Sequence, residues 1–163
     1  MGIPKQIKPT KLGDYLEVMT KAVFQAGVSW AQIENKWESY GQAFENWDIE
    51  KVAAFDEKDI ERLMEHPGVM HSKKKISGTI KNARMIVELD KEFKGFENYL
   101  RSKPDYEDLR KDLKKRFSFL GEMNAYYFLF RVGEPVPEFE GWVKTIEGEH
   151  PRMREMVEAH KKQ

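Results

Sequence analysis

Trp30, Ile33, Trp37, Tyr40 and Phe44 recur at intervals of three and four. That spacing gathers side chains on one face of an α-helix and scatters them over both faces of a strand. The same period returns in Leu12, Tyr15, Leu16, Met19, Ala22, Val23 and Ala26, in Ile76, Ile80, Ala83 and Val87, and in Tyr106, Leu109 and Leu113. No alternating strand pattern persists and no internal repeat is visible, so the expected fold is all-α. A chain of 163 residues, 40% hydrophobic and 12% aromatic, suits one domain with a real core. Residues 1–163 are read as a single helical domain, with 143–163 as a C-terminal helical extension.

The element ends carry their own signals. Gly27 ends the first helix, because glycine enters the left-handed C′ conformation cheaply. Ser29 with Gln32 has the form of a capping box that opens one helix running through Phe44. Asp48, Asp56, Ser72 and Asp105 read as N-caps of later helices, and "EHPG" at 65–68 stops another. Met123 to Val132 is apolar on nearly every side, which predicts the buried central helix of the bundle.

With no cysteine, a disulfide framework, a thiolate metal site and thiol catalysis are excluded. The four histidines, His66, His71, His150 and His160, are scattered, and neither a metal nor another cofactor is expected. The start "MGIPKQIKPTK" lacks the apolar region of a secretory leader, and no stretch approaches the ~20 apolar residues that span a bilayer. A cytoplasmic protein without a membrane partner, acting as a monomer, is the expectation.

Formal net charge is zero, which argues against attachment to nucleic acid by bulk charge. The average hides an asymmetry: residues 71–131 carry 15 Lys/Arg against 9 Asp/Glu, while 1–70 carry 8 against 12 and 132–163 carry 5 against 7. Within the basic stretch, "HSKKKISGTIKNARMIV" holds Lys73, Lys74, Lys75, Lys81 and Arg84 with no acid, and "DLRKDLKKRF" adds Arg110, Lys111, Lys114, Lys115 and Arg116. A solvated face and a phosphate-binding face both fit such runs.

Two constellations bear on that choice. In "FQAGVSW", Trp30 reads either as the first member of a core stripe or as a platform at the rim of a cleft. Gly27 lets the backbone approach a ligand closely and Val28 is a small apolar tip. A wedge to fill the stack and a platform to hold the extruded base are what base flipping requires. The second, "DLRKDLKKRFSFLGEMNAYYFLF", has the form of a helix-hairpin-helix whose amides near Gly121 bind a phosphate without reading sequence. An ordinary helical hairpin has the same form, and Glu122 opposes an anion at that helix start.

These residues resemble the DNA-3-methyladenine glycosylase I family of helix-hairpin-helix base-excision enzymes. The likeness covers roughly residues 18–142 and rests on "QAGVSW", on "DIEKVAAF" with "DIERLMEHPGV", on the "KI" and "KNAR" spacing, and on "LKKRFSFLG". The resemblance implies a monofunctional glycosylase that excises alkylated purines from double-stranded DNA. Gly27 and Val28 would enter the stack and Trp30 would face the extruded base. Lys73, Lys74, Lys75, Lys114, Lys115, Arg116 and Gly121 would hold phosphates. The chain departs from the family at Ala22, where a glutamate stands eight residues before the base-recognising tryptophan, and in lacking the family's amino-terminal zinc and aromatic segment. Met123 occupies the place of the nucleophilic lysine of strand-cleaving relatives, so no lyase step is implied. The superfamily sets a catalytic carboxylate just beyond the second hairpin helix, where "VGEPVPEFEGW" offers Glu134 and Glu138; both also read as solvated loop acids. A non-catalytic lesion-binding protein and a helical protein-interaction module remain alternatives.

Overall fold

The computed structural model describes residues 5–145, and among them all regular structure is helical. In chain order the elements are α1 (Leu12–Gln25), α2 (Trp30–Glu34), α3 (Trp37–Ala43), a 3-10 turn (Glu45–Trp47), α4 (Ile49–Ala53), α5 (Glu57–Glu65), α6 (Lys73–Phe93), α7 (Phe96–Leu100), α8 (Tyr106–Arg116), α9 (Glu122–Arg131) and α10 (Phe139–Val143). Four expected caps form. Asp48 accepts from the Lys51 amide, Asp56 from those of Lys58 and Asp59, Ser72 from Lys75 and Asp105 from Asp108. Each satisfies N–H groups that a helix start leaves without partners.

The single helix expected from Trp30 through Phe44 is instead two, broken at Asn35 and Lys36. Ser29 occupies the N-cap position, but its side chain makes no capping bond. The break accompanies an aromatic stack: Trp37 lies 5.1 Å from Tyr40 and 5.2 Å from Trp47, nearly parallel to both. Its indole N–H donates to Glu17 on α1 at 2.9 Å. Beyond α3 the chain reverses through three left-handed residues, Glu45, Asn46 and Trp47. There the first turn of α1 must carry glycine, because a Cβ on Gly13 would sit 2.1 Å from the Trp47 carbonyl oxygen.

The long helix α6 packs against α1, α4, α5 and α7, while α9 lies between α1 and α8. The expected central helix is α9, with Met123, Ala125, Tyr126, Tyr127, Phe128 and Leu129 buried. Arg84, part of the basic run, serves the fold: its guanidinium donates to the carbonyls of Ala53 and Phe55, both at 2.8 Å, where α4 ends. The expected C-terminal extension beyond Thr145, with His150 and His160, lies outside the described residues.

Candidate nucleic-acid interface

The turn after α1 has the geometry its sequence predicts. Gly27 adopts φ +81°, and a Cβ there would meet nothing within 4 Å, so the backbone faces open space. Gly27 and Ser29 are exposed and Val28 is half-buried. The turn is anchored from behind, since the Lys75 ammonium donates to the Ala26 carbonyl at 2.8 Å. Lys75 thus holds the turn, and the exposed Lys73 and Lys74 stand beside it at the start of α6. Trp30 is not an open platform. It is 5% exposed and meets Tyr127 of α9 edge-on, with 5.8 Å between ring centres. Ala22, one turn from the end of α1, is fully buried.

The hairpin between α8 and α9 is held by the same helix. Asn82 of α6, 1% exposed, accepts from the Ser118 amide at 2.7 Å and donates to the Ser118 carbonyl at 3.1 Å. Asn124 donates to the Phe119 carbonyl at 2.7 Å from the other side. Phe119 between them takes φ +62°, a left-handed conformation that costs a non-glycine residue roughly 1–2 kcal/mol. Gly78 makes room for it: a Cβ there would lie 3.0 Å from the Phe119 ring. Lys75, Gly78 and Asn82 lie along one face of α6, so a single rigid element spaces the turn and the hairpin, about 10 Å apart at 1.5 Å per residue.

Gly121 is the N-cap of α9, with extended backbone and no side-chain capping bond, which leaves first-turn amides for an anion. Glu122, which should repel one, pairs with Arg110 at 3.4 Å, and Arg110 also bonds Glu107 at 2.6 Å. Lys114 and Lys115 are exposed at the end of α8. Arg116 is tied back to Asp112 at 2.8 Å. Burial opposes ionisation of Asp112, but the Tyr99 hydroxyl and Arg116 outweigh it and hold the carboxyl below its ordinary value.

The two candidate acids part company. Glu134 is 6% exposed and its carboxylate meets the Arg101 guanidinium at 3.3 Å. It also helps raise the Tyr15 hydroxyl, after burial and Glu97. Tyr15 is in the first turn of α1, about 10 Å along the helix from Ala22. Glu134 therefore fastens the loop after α9 to α7 and does not approach Trp30 as a free carboxylate. Glu138 is exposed at the start of α10. It faces Tyr126, whose hydroxyl is pushed up to about 12 by burial and then by the Glu138 charge. Tyr126 adjoins Tyr127, the partner of Trp30, but the two side chains point about 100° apart around α9, so the contact with Tyr126 does not itself bring Glu138 to the indole.

Among the described residues no group of three or more potential metal ligands comes together. His71 bonds the His66 carbonyl, and His66 accepts from the Gly68 amide. No described helix is long and apolar enough to cross a membrane.

The methyladenine glycosylase family model matches residues 10–115, which include the turn, α6 and α8 up to Lys115. The chain belongs to the methyladenine glycosylase family. It is 33% identical over 130 residues to the DNA-3-methyladenine glycosylase of Haemophilus influenzae, covering 67% of this chain and 70% of that one. DNA-3-methyladenine glycosylase 1 of Escherichia coli is 31% identical over the same shares. Among solved structures, a point mutant of 3-methyladenine DNA glycosylase I in complex with 3-methyladenine superposes with a TM-score of 0.70 at 28% identity, covering 79% of this chain and 81% of that one. A Staphylococcus aureus 3-methyladenine DNA glycosylase I gives the same TM-score and identity, over 79% and 80%.

The sequence offers Asn82 only within the "KNAR" spacing and Phe119 only within the phosphate-holding hairpin at 117–121, neither with a role of its own. The signal for Asn82 was present: it is a polar residue on a helix flank that otherwise buries Ile76, Ile80 and Ala83, and a polar group there needs a partner.

Proposed function

We propose that this protein is a monofunctional DNA glycosylase that flips alkylated purines of the 3-methyladenine type out of duplex DNA and hydrolyses their glycosidic bonds. The observation that carries this reading is the joint anchoring of turn and hairpin on one face of α6, by Lys75 and Asn82. Gly27 and Val28 enter the stack left by the base while Lys73, Lys74, Lys114, Lys115 and the amides from Gly121 hold the backbone phosphates. These contacts are sequence-independent, as repair of scattered lesions demands. Lys75 and Arg116, each engaged within the protein, position this surface more than they neutralise DNA. The acting unit is a monomer in the cytoplasm.

The chemistry asks little of the protein. An alkylated purine is cationic, so an aromatic ring attracts it by cation–π contact and by stacking; Trp30 and Tyr127, both buried, would have to open toward the base to do so. As the bond from the purine nitrogen to C1′ breaks, its electron pair neutralises the base and C1′ becomes oxocarbenium-like. Water adds to C1′ and its proton passes to the Glu138 carboxylate, which also opposes the developing positive charge. With Met123 buried in α9, no amine stands there to cut the strand. Lesion binding without cleavage is the second reading, favoured by the buried Ala22.

Incubation with methylated DNA, followed by chromatography of the released bases, tests the proposal. Free 3-methyladenine is expected. Tight lesion binding with no release moves the function to damage recognition, and absence of any salt-sensitive DNA binding overturns both readings.

A further inference from the structure

We infer that Phe119 is a DNA-contacting residue, packing its open ring face against a deoxyribose next to the phosphate held by the hairpin amides. This rests on the DNA-binding reading above and extends it to a residue that carries no charge. Phe119 is the large hydrophobic side chain left exposed among the described residues, at 39%. It sits at the tip of the hairpin, four residues from the nearest exposed lysine, Lys115. Its left-handed backbone is imposed from three sides: Asn82 fixes Ser118, Asn124 fixes its own carbonyl, and Gly78 supplies the bed on which one ring edge rests. Strain of this kind persists where the surroundings over-determine it, and it gathers at functional sites. Here it serves packing only in part, because it leaves 39% of the residue open to water. The neighbours settle the occupant: Lys114, Lys115 and the uncapped start of α9 demand an anion, and a nucleic-acid backbone supplies an apolar sugar face between its phosphates. Fixing the ring beforehand also removes the ordering cost of binding.

The test compares wild type, Phe119→Ala and Phe119→Gly on a duplex carrying a tetrahydrofuran abasic analogue, by fluorescence anisotropy across a salt series, together with thermal unfolding of the free proteins. Loss of the ring should weaken binding roughly tenfold at every salt concentration, with the slope of log Kd against log salt unchanged, since no phosphate contact is lost. Phe119→Gly should meanwhile unfold at a higher temperature than Phe119→Ala, because glycine relieves the positive φ. Equal losses of affinity in two variants of different stability mark a binding role. Losses that track stability, a loss confined to low salt, or unchanged affinity in both variants overturns the contact. Failure of the wild-type protein to bind this duplex overturns the DNA reading itself.

Discussion

Replacing Asn82 by alanine should separate the hairpin from the helix that holds it. The side chain makes two bonds to one residue, accepting from the Ser118 amide at 2.7 Å and donating to its carbonyl at 3.1 Å. Each is worth about 1 kcal/mol net, and a buried backbone group left unpaired costs about 1–3 kcal/mol. If the hairpin stays in place, urea unfolding should therefore show a loss of about 2–3 kcal/mol. If the hairpin lifts and water satisfies Ser118, the global loss falls toward about 1 kcal/mol, while DNA affinity drops by roughly a decade, because the amides near Gly121 must then be ordered on binding. Asn82→Asp refines the result: it keeps the acceptor for the amide but sets a carboxylate against the Ser118 carbonyl. It should be worse than alanine at pH 7 and recover below about pH 4, where a protonated carboxyl donates as the amide does. A loss under about 0.5 kcal/mol with unchanged DNA affinity in Asn82→Ala would refute the clamp.

Reversing Lys114 and Lys115 together to Glu should weaken binding to any duplex and lower the salt slope by about two units, one for each phosphate contact; an unchanged slope removes α8 from the interface. Trp30→Ala should cost about 3–5 kcal/mol in chemical unfolding because the indole is 5% exposed. Trp30→Phe, which keeps an aromatic ring, should stay folded and lose less than about a decade of base release if the indole stacks on the base. Glu138→Gln should slow single-turnover base release by about a hundredfold while leaving affinity for abasic duplex intact, and full activity would retire the carboxylate. The carboxyl of Asp112 is held below its ordinary value in the folded protein, so its contribution is complete above about pH 4 and is lost as pH falls through the folded value. The stability gap between wild type and Asp112→Asn should accordingly shrink on acidification, and a gap independent of pH would contradict this.

Local signals were the legible part of the sequence. The caps at Asp48, Asp56, Ser72 and Asp105 depend on a side chain reaching an amide two or three residues on, which spacing alone decides. The broken stripe from Trp30 to Phe44 shows where that stops. The period was right, but the stack of Trp37 on Tyr40 and Trp47, with its bond to Glu17, is a tertiary choice that no local pattern contains. The basic run divides for the same reason. Lys73 and Lys74 remain exposed, whereas Lys75 and Arg84 bind backbone carbonyls of distant elements. Glu134 likewise reads from sequence as a catalytic candidate or a loop acid, whereas the fold pairs it with Arg101, 33 residues away. Residues that meet across the fold gave up their roles only in three dimensions.

A monofunctional glycosylase breaks the glycosidic bond and leaves the strand whole. The direct measurement uses a duplex with an end label and one alkylated purine, incubated with excess protein and divided before electrophoresis, one half treated with hot alkali. Strand scission at the lesion only after alkali, rising in a single exponential and absent from an undamaged duplex, is the predicted result. Scission without alkali would contradict the monofunctional mechanism, and an intact strand in both halves would contradict catalysis altogether.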